Sequence, residues 1–306
     1  MKIFRVFAVL ATILIITASL TVTTSAQDDD IVDFVLEALN SVAEQSSVQL
    51  TTETFIAQEI DMTGMPLEFG IIQSGEGAVI YEDGEVSAVS LLLTQSMEAD
   101  GMGAILGDLG LTLEMVYVDG QIYTRISEVS GFYEMSLEEL NAGEWMLDEN
   151  TTAALPFDID TIIAQGGNVA IDTWVEEMVA SAEELDGEIV NDQAMRVFAL
   201  EGDMEALFTE EGLEALMSDF DMEGLDLSSM GMEELDLGMS DMTATMAMVI
   251  WIGVDDGLPY YVETVTSFDT VMSMMGQSMD MTMTLTQSTV YSDYNDDITI
   301  EAPEID

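Results

Sequence analysis

Cysteine and histidine are absent from this 306-residue chain, and lysine and arginine together number four. Without cysteine there is no disulfide and no thiol to carry an acyl anchor. Without either residue, the commonest ligands of zinc and copper are gone, and so is the commonest general base. Nucleophilic systems built on Ser–His or Cys–His pairs are excluded. No Gly-x-Ser-x-Gly elbow, phosphate loop or dinucleotide fingerprint occurs. Carboxylate pairs of the kind used in glycoside hydrolysis carry no signal here, because 61 Asp and Glu produce such pairs by chance. An enzyme is not expected, nor a resident cofactor.

The scarcity of positive charge is as informative. The cations are Lys2, Arg5, Arg125 and Arg196, and the formal net charge is −57. Loss of the two cations in the first five residues takes it to −59. Nucleic acid is excluded as a partner, because binding it needs clustered Lys and Arg. Anionic lipid headgroups are repelled. Such self-repulsion opposes a compact state unless salt screens it. The charge describes solvent and solubility rather than fold, and a content of 48% hydrophobic residues argues against a disordered chain.

The N-terminus has three zones. Lys2 and Arg5 form a basic region, Phe7 to Leu20 an apolar one, and Thr24-Ser25-Ala26 places small residues before Gln27 and Asp28-Asp29-Asp30. This is the arrangement of a secretory signal. An uncleaved anchor helix is the alternative, but the apolar stretch is marginal for spanning a bilayer. Residues 1–26 are therefore expected to be removed. That leaves residues 27–306 as one extracytoplasmic domain, in the periplasm or at the cell surface. It would have no transmembrane or lipid anchor and is expected to be a monomer.

Periodicity supplies the elements. Ile31, Phe34, Val35, Ala38, Leu39 and Val42 have helical spacing within Asp28–Ser46, with carboxylates at the favourable end of the dipole. Strand alternation follows in Val48–Ile60, Gly77–Tyr81 and Val86–Met97, with a turn at Glu82-Asp83-Gly84. Leu111–Val118 and Gln121–Ser127 flank Asp119-Gly120, the strongest hairpin signal in the chain. Phe132–Glu134 reads as a short edge piece. A capping box at Ser136-Leu-Glu-Glu139 predicts a short helix ending near Trp145. Asn150–Gly167 reads as a connection. Ile171, Trp174, Val175, Met178, Val179 and Ala182 predict a second helix, Asn168–Leu185, ended by Asp186-Gly187. Glu188–Leu200 returns to strand, and Asp203–Phe220 reads as helix. Met222–Met242, almost all Met, Leu, Gly, Ser and acids, reads as a flap, with outer bounds near 219–242. Thr243–Val254, Pro259–Thr270, Ser278–Tyr291 and Ile298–Ile300 read as strands. Consecutive strands joined by tight turns mean an antiparallel sheet rather than a βαβ fold. The fold class expected is α+β: one strongly curved antiparallel sheet with helices packed in its concave face.

Four stretches make the chain resemble the LolA-like group of periplasmic and cell-surface lipid carriers, in particular its LppX/LprG-type branch. They are the helix Asp28–Ser46; the hairpin Met115-Val-Tyr-Val-Asp-Gly-Gln-Ile-Tyr123 leading to Gly143-Glu-Trp145; Val249-Ile-Trp-Ile-Gly-Val-Asp-Asp-Gly-Leu-Pro-Tyr260; and Tyr291-Ser-Asp-Tyr-Asn295 closing on Ile298–Pro303. The resemblance implies a half-open β-barrel capped by helices, with an apolar cavity for acyl chains. The lipobox cysteine of that branch is missing, which puts membrane anchoring in doubt but not the fold.

Methionine is the most distinctive component. Met246, Met248 and Ile250 share one face of a strand with Met242, and Met279, Met281, Met283 and Leu285 share one face of another. Unbranched thioethers adapt to flexible chains, so these two rows are candidates for lining a ligand cavity. Leu111, Leu113, Met115, Trp174 and Met178 are further candidates. The plainer reading is that they are core positions where Met replaces Leu or Ile. Soft thioethers also suit Cu(I), and Met272-Ser-Met-Met275 with Met279–Met283 is dense enough to raise that alternative. Calcium at Asp255-Asp256-Gly257 or Asp293–Asp297 is another, though neither matches an EF-hand loop and turn chemistry explains both. Arg125 and Arg196 are read as ion pairs within the sheet, or else as contacts to a ligand headgroup. The function expected is non-catalytic binding of a lipid or other hydrophobic molecule. A secreted metal-binding protein and a surface domain with a filled core are the alternatives.

Overall fold

The computed structural model describes residues 29–62, 66–99, 109–130, 143–147, 179–203, 243–274 and 277–305. One helix, α1 (Asp29–Asn40), is followed by eleven strands. These are β1 (Ser47–Met62), β2 (Pro66–Glu82), β3 (Glu85–Ala99), β4 (Leu109–Val118), β5 (Gln121–Ser130) and β6 (Met146–Leu147). Then come β7 (Val179–Val190), β8 (Gln193–Asp203), β9 (Thr243–Gly253), β10 (Pro259–Met274) and β11 (Gln277–Ser292).

All eleven strands form one antiparallel sheet in the order β6-β5-β4-β3-β2-β1-β11-β10-β9-β8-β7. It consists of two meanders. The first runs outward from β1 and the second outward from β11. The first and last strands join them, paired from Gln49↔Ser292 to Met62↔Met279. Everywhere else, sheet neighbours are sequence neighbours, several of them joined by short turns. Three of these turns are two-residue hairpins with both central residues at positive φ: Asp83-Gly84, Asp119-Gly120 and Asn191-Asp192. That backbone matches the natural twist of the flanking strands, and Asn, Asp and Gly tolerate it best. The sheet does not close. β6 and β7, consecutive in sequence, are its two edges.

Alternation gives the sheet a buried face and an outer face. Val48, Val79 and Val89 stand on the buried face of β1, β2 and β3, directly opposite one another. Phe198, Ile250 and Val262 do the same on β8, β9 and β10. α1 lays Val32, Val35, Ala38 and Leu39 into this core, and Val42 follows from the turn after it. Its Phe34 ring lies 5.2 Å from that of Phe198. Arg196 caps the pair, 4.3 Å from the Phe34 ring and 4.8 Å from that of Phe198, and donates to Glu184 through Nε and Nη2. Beyond β11, Tyr294 donates to the Pro259 carbonyl, and Asn295 bonds Ser46 and Gln45. The C-terminal segment is thus tied to the turn after α1.

Several expectations are corrected. The helix over Asn168–Leu185 is not formed from residue 179 onward, which is β7, while residues 168–178 lie outside the described residues. Register shifts between Val179 and Ser181 and between Leu185 and Glu188 explain the misreading. Each bulge restarts the alternation, so Val179 and Ala182, three apart, are both buried and mimic helical spacing. Asp186-Gly187 is the second bulge, and the reversal comes later, at Asn191-Asp192. Ile298–Ile300 is another correction: it is not strand and pairs with no ladder. The short helix expected to end near Trp145 gives way at 143–147 to a turn and β6. The signal 1–26, the edge piece Phe132–Glu134, the connection Asn150–Gly167, the helix beyond Asp203 and the Met222–Met242 flap lie outside the described residues. One helix packed on the sheet is observed among them, rather than the several expected.

A tyrosine cluster closes the α1 end of the core. Burial pushes Tyr81 up to about 12 and holds Tyr291 and Tyr294 above the ordinary tyrosine range. With no cysteine and no histidine, tyrosine is nearly the only side chain that titrates between pH 8 and 12. Above pH 10 the unfolded chain sheds tyrosine protons that the folded chain keeps. The stability present below pH 10 is therefore lost as pH rises toward 12, by on the order of 2 kcal/mol from Tyr81 alone. Urea unfolding between pH 8 and 12 should show this decline, and Tyr81→Phe should flatten part of it. A flat profile in the parent protein would contradict the burial.

Candidate ligand-binding face

The expected site residues fall on the buried face wherever they are described. Met246, Met248 and Ile250 on β9, and Met281, Met283 and Leu285 on β11, are each at most 6% exposed. β10 lies between the two rows and joins them across direct pairs: Met246↔Thr266↔Leu285, and Phe268↔Met283. Leu111, Leu113 and Met115 occupy the same face of β4, with Leu113 and Met115 buried and Leu111 half-buried. They are four strands from β11, so they extend the same wall rather than facing the methionines within one pocket. Met279 sits at the register position opposite Met62 and Met272. Trp174 and Met178 lie outside the described residues.

The two faces differ in charge. On β1–β5 and β8–β11, every described Asp and Glu within the paired runs projects from the outer face. Glu53, Glu76, Glu114, Glu201 and Glu263 all alternate with buried-face neighbours. A carboxylate away from water is costly unless paired, so the face that meets α1 keeps them out. Glu184 on β7 is the exception. Its bond to Arg196 holds its carboxyl below the usual range and raises the guanidinium. Arg125 is on the outer face, where its Nε and Nη2 donate to Glu114 at 3.1 and 2.5 Å and its guanidinium lies 4.7 Å from the Trp145 ring. Both arginines are thus cross-strand ion pairs, as the composition suggests.

Open space lies on the outer face. A cavity of about 510 Å³ is bordered there by Gln49, Glu76, Ser90, Leu92, Glu114 and Trp145. Its carboxylates and wide mouth do not suit an acyl chain. The buried face is instead close-packed at its methionines, but it carries a partly accessible polar belt that periodicity does not reveal. Gln95, Gln73, Thr54, Gln287 and Thr264 stand directly opposite one another on β3, β2, β1, β11 and β10. Gln58, two rows beyond the belt on β1, donates to the Met281 sulfur at 3.1 Å. Among the described residues, no group of three or more His, Cys, Asp or Glu could hold a metal, and no helix is long and apolar enough to cross a membrane.

No protein-family model matches the chain, and no curated protein matches it in sequence. Solved structures similar to it include LprF from Mycobacterium bovis, at 8% identity and TM-score 0.35, covering 90% of this chain and 97% of that one. LppX from Mycobacterium tuberculosis is similar at 6% identity and TM-score 0.29, covering 90% and 100%. A putative outer membrane lipoprotein-sorting protein domain from Vibrio parahaemolyticus is similar at 10% identity and TM-score 0.22, covering 88% and 93%. The LolA-like resemblance read from the sequence recurs among these neighbours. Superpositions this loose carry no functional weight of their own.

Two glycines beside the belt report how tightly the buried face is drawn together at β2. A Cβ at Gly77 would meet the Ser90 carbonyl oxygen at 2.7 Å, a backbone atom that cannot step aside. At Gly75 it would meet the Thr52 and Leu93 methyls at 2.8 and 2.9 Å, which are ends of side chains. Gly77→Ala is expected to cost about 1–3 kcal/mol, as overpacking does, and Gly75→Ala less, because its neighbours can rotate. Equal and negligible losses in urea unfolding would show that the strands are not in such close approach.

Proposed function

We propose that this protein is a non-catalytic, extracytoplasmic binder or carrier of a lipid or other hydrophobic molecule, held against the buried face of a strongly curved, half-open sheet. The observation that carries the reading is the mismatch between that face and its cover. Eleven strands at ~4.8 Å spacing are roughly 50 Å across. α1, with its 12 residues, is about 18 Å long and 10 Å wide. Among the described residues, a face of that breadth, largely apolar and with Glu184 on β7 as its one carboxylate, exceeds what the one helix can cover. Curling of so wide a sheet and an apolar guest both remove such surface from water. Burial of an acyl chain at ~0.8 kcal/mol per CH₂ supplies affinity without a specific polar site, and methionine walls adapt to chains of variable path. The basic, apolar and small-residue zones of residues 1–26 support export, and the absence of cysteine supports release without a lipid anchor.

The test is direct. The full chain is expressed in a host that exports and processes it, then purified without detergent. Native mass spectrometry and lipid extraction should find acyl lipid bound in about one-to-one ratio, and a mature N-terminus at Gln27. Protein that is lipid-free, fails to bind an apolar fluorescent dye, and carries Cu(I) or Ca²⁺ instead would contradict the proposal.

A further inference from the structure

The polar belt on the buried face carries the hydrophobic-ligand reading one step further, to the class of ligand. Its members are amides and hydroxyls only. Thr54 is buried, while Gln73, Gln95, Gln287 and Thr264 are half-buried and so open to a guest or to water. Among the described residues, the amides of Gln73, Gln95 and Gln287 form no hydrogen bond. One row nearer α1, Thr289 donates to Thr52 at 3.5 Å. A primary amide offers two donors and two acceptors. Three of them in line with two threonines can therefore accept from a hydroxyl and donate to a carbonyl, but they carry no charge with which to neutralise an anion.

The cations cannot serve that purpose either. Arg125 is on the opposite face and held by Glu114. Arg196 is on the buried face but four residues along β8 from Leu200, which shares the belt's row through Met248↔Thr264. That is roughly 13 Å at strand spacing, and its guanidinium is committed to Glu184 and two rings. A phosphate or carboxylate drawn onto the belt would lose water, find no cation and meet the field of 61 acids, which is the unfavourable case for a buried charge.

We infer that the belt holds the uncharged polar segment of the guest, which makes the ligand a neutral amphiphile of the acylglycerol class, with ester carbonyls and a hydroxyl, rather than an anionic lipid. This rests on the reading of the face as a hydrophobic-ligand site. The experiment uses the exported full chain, stripped of lipid, with an uncharged apolar dye as reporter. Displacement by dioleoylglycerol is compared with displacement by dioleoylphosphatidate, which has the same two chains and adds a phosphate. The diacylglycerol is expected to bind at least about tenfold more tightly. Gln73→Leu combined with Gln287→Leu should lose about fivefold or more of that affinity while dye binding stays within about twofold. Gln95→Met, a single volume-matched change, should shift affinity in the same direction and guards against misfolding of the double variant. Equal affinity for the two lipids would overturn the inference, as would leucine and methionine variants that bind diacylglycerol like the parent. Failure of the dye to bind at all would sink the hydrophobic-ligand reading itself, a separate outcome.

Discussion

Keeping the described carboxylates of β1–β5 and β8–β11 off one side of a single sheet is the constraint on which the rest of this structure depends. A chain with this charge cannot rely on ion pairs. Its two cross-strand bridges, Arg125–Glu114 and Arg196–Glu184, use both cations beyond residue 5. Stability has to come from apolar burial, and burial requires a face free of unpaired acids. Strand alternation provides one, because side chains two apart share a face. A register slip of one residue would exchange the faces and carry glutamates into the core. The same charge pattern that threatens the fold therefore fixes its register.

The meanders and the seam between β1 and β11 follow from that sorting. All other pairings join strands that are neighbours in sequence, but β1 must find a partner more than two hundred residues away. Both strands keep uncharged side chains on the buried side, Thr54 and Ile56 against Gln287 and Leu285, and their acids on the other. Once joined, they bring the methionines of β9 and β11 and the wall of β1–β4 onto one continuous surface. The edges need protection of a different kind. β7 is bulged twice and rich in acids, both of which discourage pairing with another chain.

Much of this was legible in the residues. α1, β1, the Asp119-Gly120 hairpin, β9 and β11 all show their periods openly, and their inward faces are read off by alternation. β7 was not legible, because a bulge has no signature other than the broken period, and Val179 and Ala182 then look helical. The belt was hidden for another reason. Gln73, Gln95 and Gln287 each look like an isolated polar break in an apolar pattern. Only the pairing of the first strand with the last sets them in line, and no local rule encodes a contact between residues more than two hundred positions apart. The methionine rows were visible, but whether they face a guest or a filled core depends on neighbours across the sheet.

The sidedness of the sheet can be challenged by moving one charge. Thr54 on the buried face and Thr51 on the outer face lie in the same strand, three residues apart. Thermal and urea unfolding of Thr54→Glu and Thr51→Glu at pH 7 compare an added carboxylate in the two settings. Segregation predicts a loss on the order of 3 kcal/mol for Thr54→Glu, smaller at pH 5, where the buried carboxyl takes up a proton. Thr51→Glu should stay within about 0.5 kcal/mol of the parent. Equal effects at the two positions would contradict the account.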